Sequence, residues 1–183
     1  MYKLPPGRLG YTLMELMVTI TIAGILLSIA IPSFTSIISS NRLTTYANEL
    51  VTAFNYARSE AIKRGVQVTV RNKGASTHWE SGWIVFVDND ASNTFNDDGD
   101  ATLCEPSEDC LLRTYDQLAQ GFTITTGGTA YKDYAAFLSS GFSKSGVGET
   151  FRLCKDADNI NSRAIIVNCM GRIRISTGTN SCP

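Results

Sequence analysis

From Leu16 to Ile38 the chain carries no charged residue, and this run constrains the fold more than any other feature. At about 1.5 Å of rise per helical residue it is long enough to cross the ~30 Å hydrocarbon core of a bilayer. One acid stands at its threshold. Glu15 lies four residues after the chain turns apolar at Tyr11, in GYTLMELMVTITIAGILLSIAIP, Gly10 to Pro32. A carboxylate at the centre of such a helix costs about 2.5–3.5 kcal/mol on insertion scales. Close to the helix start it also faces the positive end of the helix dipole, which offsets part of that cost.

Pro32 should kink or loosen this helix rather than end it. Beyond it the pattern turns amphipathic. Leu43, Ala47, Leu50, Phe54, Ala57 and Ala61 recur in steps of four and three, which places them on one face. Asn48, Glu49, Asn55, Ser59 and Glu60 are expected on the other side. Lys63 and Arg64 in the last turn, with Gly65 just after, form a stop signal. The reading is one long helix, half of it for lipid and half packed on a domain.

After Gly65 the period becomes two. VQVTV, WIVFV, LLRTY, FTITT, AAFL, TFRLC, RAIIVN and RIRIS read as strands, separated by clusters of Gly, Asn, Asp and Ser. Strands without intervening helices imply an antiparallel sheet, covered on one side by the apolar face of the helix. The fold class is α+β. With 183 residues and a formal charge of −1, the chain has room for one domain and an appendage. Lys3 and Arg8 both fall in the first ten residues, so the remainder is the more acidic part. That argues against a basic body built to wrap nucleic acid, while a local basic patch stays open. Five cysteines without a C-x-x-C, and His78 as the single histidine, do not make a zinc set. Disulfides in an oxidising compartment fit better, and an odd count leaves one thiol unpaired.

Lys3 and Arg8, then Gly10, then YTLMEL, resemble the class III leader of type IV pilins and pseudopilins. The resemblance implies a dedicated peptidase that cuts after Gly10 and methylates Tyr11, leaving the apolar segment on the mature chain. Glu15 then becomes the fifth mature residue and Pro32 the twenty-second, both at family positions. In that family the fifth-residue glutamate meets the N-terminal amine of a neighbouring subunit, so an acid costly in lipid becomes a register device in a filament. NELVTAFNYARSEAIKRG, WESGWIVFVD (Trp79 to Asp88) and GRIRI, in that order, are similar to the GspH/FimT-type (FimU-like) minor pilins. This implies a type IV pilin fold, with a long N-terminal helix on a β-rich head. The expected organisation is a leader over 1–10, a transmembrane or filament-core half-helix over 11–38, and a periplasmic head over 39–183. The implied role is a minor pilin that primes or joins a type IV pilus, or an H-type minor pseudopilin of a type II secretion system. The implied partners are other pilins, the prepilin peptidase and, before assembly, the inner membrane; no cofactor is implied. Some relatives bind DNA for uptake and competence.

The acidic stretch DNDASNTFNDDGD, Asp88 to Asp100, invites a calcium reading. An EF-hand loop with its glycine at Gly99 would end at Glu105, but its first and third ligand positions fall on Thr94 and Asn96, so the template fails. A polar hairpin loop is the plainer account, and no metal is expected. No nucleophile elbow or phosphate loop appears, so no enzyme is expected. Trp83 and Phe86 read as packing residues. Arg172 and Arg174 flank Ile173 in a strand pattern and share a face. They are either an ordinary solvated strand face or a weak phosphate-contacting patch matching the Gly-Arg-x-Arg pattern of DNA-binding FimT-type pilins. Cys104 and Cys110 bracket EPSED and can close a short loop. If TFRLC, RAIIVN and RIRIS are consecutive antiparallel strands, Cys154 lies at the end to which the chain returns after Ser176. Bridging needs Cα atoms within about 7 Å, so Cys154–Cys182 is expected and Cys169 is left free.

Overall fold

Thr12 starts the first element, the helix α1 (Leu13–Arg64), in a computed structural model that describes residues 10–74, 77–97, 104, 108–158, 161–178 and 182. Its Oγ1 accepts the Glu15 backbone N–H at 3.2 Å, and its carbonyl accepts the Leu16 N–H at 3.2 Å. This is N-capping, in the Thr-x-x-Glu spacing of a capping box. Within the apolar half, hydroxyls bond back to the helix itself: Thr19 to the Leu16 carbonyl, Thr21 to Met17 and Ser28 to Ile25, at 2.7–2.8 Å. Such bonds satisfy these three hydroxyls within the helix itself, as an apolar medium requires. α1 continues through Pro32, so the proline does not end it. Gly65, at φ +72°, closes the helix by donating its N–H to the Ala61 carbonyl.

The chain divides into two compact units, Met1–Ser39 and Ser40–Pro183. In the second, Leu43, Ala47, Leu50, Phe54, Ala57 and Ala61 are all buried, as the four-and-three spacing requires. Glu60 corrects that reading. Expected on the polar side, it is buried, with its Oε2 accepting from Arg64 Nε at 2.6 Å and Lys63 Nζ 3.5 Å from Oε1. A carboxylate one turn from two cations can go under cover because they neutralise it, a fact that a helical wheel does not carry.

The strands are β1 (Val68–Asn72), β2 (Trp83–Val87), β3 (Cys110–Tyr115), β4 (Phe122–Thr126), β5 (Tyr134–Phe137), β6 (Glu149–Lys155), β7 (Arg163–Val167) and β8 (Ile173–Thr177). All their pairings are antiparallel. They form two four-stranded antiparallel sheets, a division the sequence reading did not specify, ordered β3-β2-β1-β5 and β4-β6-β7-β8. Alternation identifies strands, but pairing is decided by which strands can share a core, and β5 returns from far along the chain to extend β1. Phe54 of α1 joins the layers. Its ring lies 6.2 Å from Phe137 in the first sheet and 5.0 Å from Phe151 in the second. Trp79, in a short 3-10 turn (Trp79–Ser81), completes the cluster at 5.0 Å from Phe151 and donates its Nε1–H to the Tyr131 carbonyl. Trp83 and Phe86 are fully buried, in keeping with their reading as packing residues.

Candidate functional site: an apolar helix surface and an arginine face

The N-terminal half of α1 buries nothing. Leu13 is 76% exposed, Ile29 69% and Phe34 63%, and none of the most apolar window, of mean hydropathy 2.2, is covered by the chain. Apolar surface this continuous marks contact with a membrane or with other proteins. Among the described residues, α1 is the one helix long and apolar enough to cross a bilayer. Gly10 and Tyr11 are exposed just ahead of the cap, and Glu15 is exposed in the first turn. Lys3 and Arg8 of the expected leader lie outside the described residues. Pro32 sits inside α1.

The second candidate lies on the sheet β4-β6-β7-β8. Residue Arg152 of β6 pairs with Ala164, which pairs with Ser176; Thr150 pairs with Ile166, which pairs with Arg174. All therefore lie on one face of the sheet. Arg172 and Arg174 are exposed and line a hollow of about 170 Å³ with Ile166 and Asn168. A neighbouring hollow of about 470 Å³ shares Ile166 and brings in Arg152 with Thr150, Ser176 and Gly178. The two hollows share Ile166, but Arg172 and Arg174 line only the first, and the Arg152 guanidinium lies against Gly127, just after β4. Neither Arg172 nor Arg174 has an ion-pair partner among the described residues. Arg152 was missed in the sequence because it is two strands away from Arg174, and alternation does not reveal strand neighbours.

The glycine of GRIRI has a separate, structural task. Gly171 is at φ +71°, and an added Cβ would lie 2.3 Å from the Gly141 carbonyl oxygen, which also accepts from Arg58 Nε of α1 at 2.8 Å. The backbone N–H of Arg172 donates to Asn168 Oδ1, completing the tight turn that aims both arginines outward.

Two disulfides tie the head. Cys104 joins Cys110, and Cys154 joins Cys182 with Cα atoms 5.9 Å apart; Cys169 is free and exposed. The pairing of β6, β7 and β8 in consecutive order brings Cys154 to the end where the chain leaves β8.

Comparison with known proteins places these features. The family model described as type II transport protein GspH matches residues 46–171, and the prokaryotic N-terminal methylation motif matches residues 6–31. The pilin-like protein PilA1 of Thermus thermophilus is 35% identical over 91 residues, 49% of this chain and 54% of that protein. The chain thus spans about half the length of that curated relative. Two crystal forms of the type IV minor pilin FimU of Pseudomonas aeruginosa share the fold. One has a TM-score of 0.60 at 21% identity over 78% of this chain and 96% of that one; the other has 0.59 at 20% over 77% and 100%. With the methylation motif opening α1, the FimU-like type IV pilin fold, and the GspH match running through the head, the chain belongs to the GspH family.

Proposed function

We propose that this protein is a minor pilin that joins or primes a type IV pilus. In this reading the prepilin peptidase cuts after Gly10 and methylates Tyr11, and the helix over 11–38 waits in the inner membrane with the head, 39–183, in the periplasm. The observation that carries the reading is the fully exposed apolar half of α1, capped at Thr12 with a carboxylate at Glu15. Lipid can cover such a helix before assembly and neighbouring pilin helices can cover it afterwards. Glu15 needs a cation in either setting, and the N-terminal amine of an adjacent subunit supplies one in a filament.

The test is Glu15→Val. Removing the acid should leave insertion intact or improve it, by less than the ~2.5–3.5 kcal/mol of a mid-helix carboxylate because Glu15 lies in the first turn. Recovery of the protein in sheared filaments should fall at least about tenfold, since 1.4 kcal/mol of lost pairing already does that. Undiminished recovery would remove Glu15 from assembly. Deleting the gene separates the alternative: loss of pili supports the pilus reading, and loss of secreted enzymes with pili intact supports an H-type pseudopilin of a type II secretion system.

A second reading, weak DNA binding, is favoured by one observation: Arg172 and Arg174 are both exposed, line one hollow and have no ion-pair partner among the described residues. Each phosphate contact on duplex DNA contributes a salt slope of about −0.9, so a few arginines give sequence-independent binding that is lost in moderate salt. Tight capture would need several subunits acting together. Replacing Arg172 and Arg174 by Gln should abolish a low-salt gel shift by the full chain and lower transformation while pili persist. Lost pili with an unchanged gel shift would make this face an assembly surface instead.

A further inference from the structure

We infer that the head binds a calcium ion between the ends of β2 and β3, on Asp88, Asp90 and Asp109. One carboxylate oxygen from each lies within 4.8 Å of the others, and two of the three residues are buried, Asp88 at 1% exposure and Asp109 at 4%. The independent observation is Asp88 Oδ1, which is buried and accepts no hydrogen bond. Its sister oxygen is saturated: Oδ2 accepts from Gln67 Nε2 at 2.6 Å, Thr69 Oγ1 at 2.7 Å and the Asn93 N–H at 3.0 Å. Those donors occupy Oδ2 and leave Oδ1 buried without a hydrogen-bond partner among the described residues.

The other two acids are likewise held by backbone N–H groups. Asp109 accepts from Asn89 and Asn96, each at 2.9 Å, and Asp90 accepts from Ser92 at 2.9 Å. Hydrogen bonds from Ser92 keep the Asp90 carboxyl below the usual range, whereas burial pushes Asp109 up. Asp88 and Asp90 also repel the Asp109 charge. Two cations that reach the 88–97 loop bond to its neutral oxygens: Lys144 Nζ donates to the Ala91 carbonyl and Asn93 Oδ1, and Arg71 donates to the Asn93 carbonyl. Among the described residues no ion pair reaches these three carboxylates. Buried like charges without a counter-charge are costly, so the cluster calls for a cation.

Oxygen-only donors select a hard ion. Calcium takes oxygens at about 2.3–2.6 Å, so donors on opposite sides of it can lie up to about 5 Å apart. Magnesium, at about 2.0–2.1 Å, would require the three oxygens to close in further. The EF-hand template cannot describe this cluster, because its ligands come from two separate stretches of chain rather than from one twelve-residue loop. Asp88 and Asp90 follow β2 and Asp109 precedes β3, so strand pairing rather than loop spacing assembles them. Bound there, the ion pins the 88–97 loop over the outer face of the sheet, where Phe95 already packs 5.3 Å from Phe86.

The test uses the full chain in detergent at neutral pH. Isothermal titration with CaCl2 should show one site with a dissociation constant of about 10⁻³ M or tighter. Unfolding should shift upward by several degrees in about 10 mM CaCl2 relative to EGTA, and by much less in MgCl2. Asp90→Asn, at an exposed position, should fold in EGTA and weaken calcium binding at least about tenfold; Asp109→Asn should do the same. Absence of calcium heat and of a melting shift in the unaltered protein would overturn the proposal. Calcium binding unchanged in both variants would equally overturn it, placing the ion elsewhere.

Discussion

At Gly82 the backbone turns at φ +89°, and a Cβ there would lie 2.5 Å from the Tyr115 carbonyl oxygen and 2.8 Å from the Asp116 carbonyl carbon. The turn delivers Trp79 to the aromatic cluster and Trp83 onto Tyr115, with ring centroids 5.3 Å apart. Gly82→Ala combines a left-handed backbone with a clash against main chain, neither of which a rotamer change relieves. It should cost at least about 2 kcal/mol in denaturant unfolding of the full chain; a change under about 0.5 kcal/mol would contradict this account of the turn. Of the WESGWIVFVD stretch, Trp83 and Phe86 were legible as packing residues, and both are fully buried. The last residue of that stretch was not legible. Asp88 works through partners on β1 and through Asp109, 21 positions on across a long loop, and no local pattern announces such a meeting. Thr12 could have been read: Thr-x-x-Glu before an apolar run is a capping box, and the interest of Glu15 as an acid in lipid obscured its place in it.

Among the elements, α1 was the most legible, because burial on a helix follows from spacing alone. The strands came next, each close to its alternating run. What alternation could not reveal was their division between two sheets, since β1 accepts β5 from a distant stretch while β4 turns away to β6. The arginine face suffered the same limit. Arg172 and Arg174 share a face within one strand pattern, but Arg152 joins them only once the register of β6, β7 and β8 is known. The edge strand β8 is held at its far end by Cys154–Cys182, which closes a span of 28 residues. On the chain-entropy account, a loop of that length is worth about 3–4 kcal/mol. Replacing both cysteines by Ala should lower the unfolding free energy by up to that amount while β8 keeps its neighbours. Peptide mapping without reduction should recover Cys154 linked to Cys182, and a link from Cys169 to either would contradict the strand order.

The two units of the molecule obey opposite rules. In Ser40–Pro183 large apolar side chains from α1 and both sheets close on one another, and Phe54, Trp79, Phe137 and Phe151 are fully buried. In the preceding unit the large apolar side chains from Leu13 to Ile38 are exposed among the described residues. A folded head can tolerate such an appendage only if lipid or other subunits take it up, and this is why the account rests on the helix staying attached after maturation. The most direct measurement is the mass of the N-terminal peptide of the protein recovered from sheared surface filaments. The account predicts a chain that begins at N-methylated Tyr11 and retains the apolar segment through Ile38. A recovered chain that begins beyond Pro32, or none in filaments while the protein accumulates in soluble form, would contradict it.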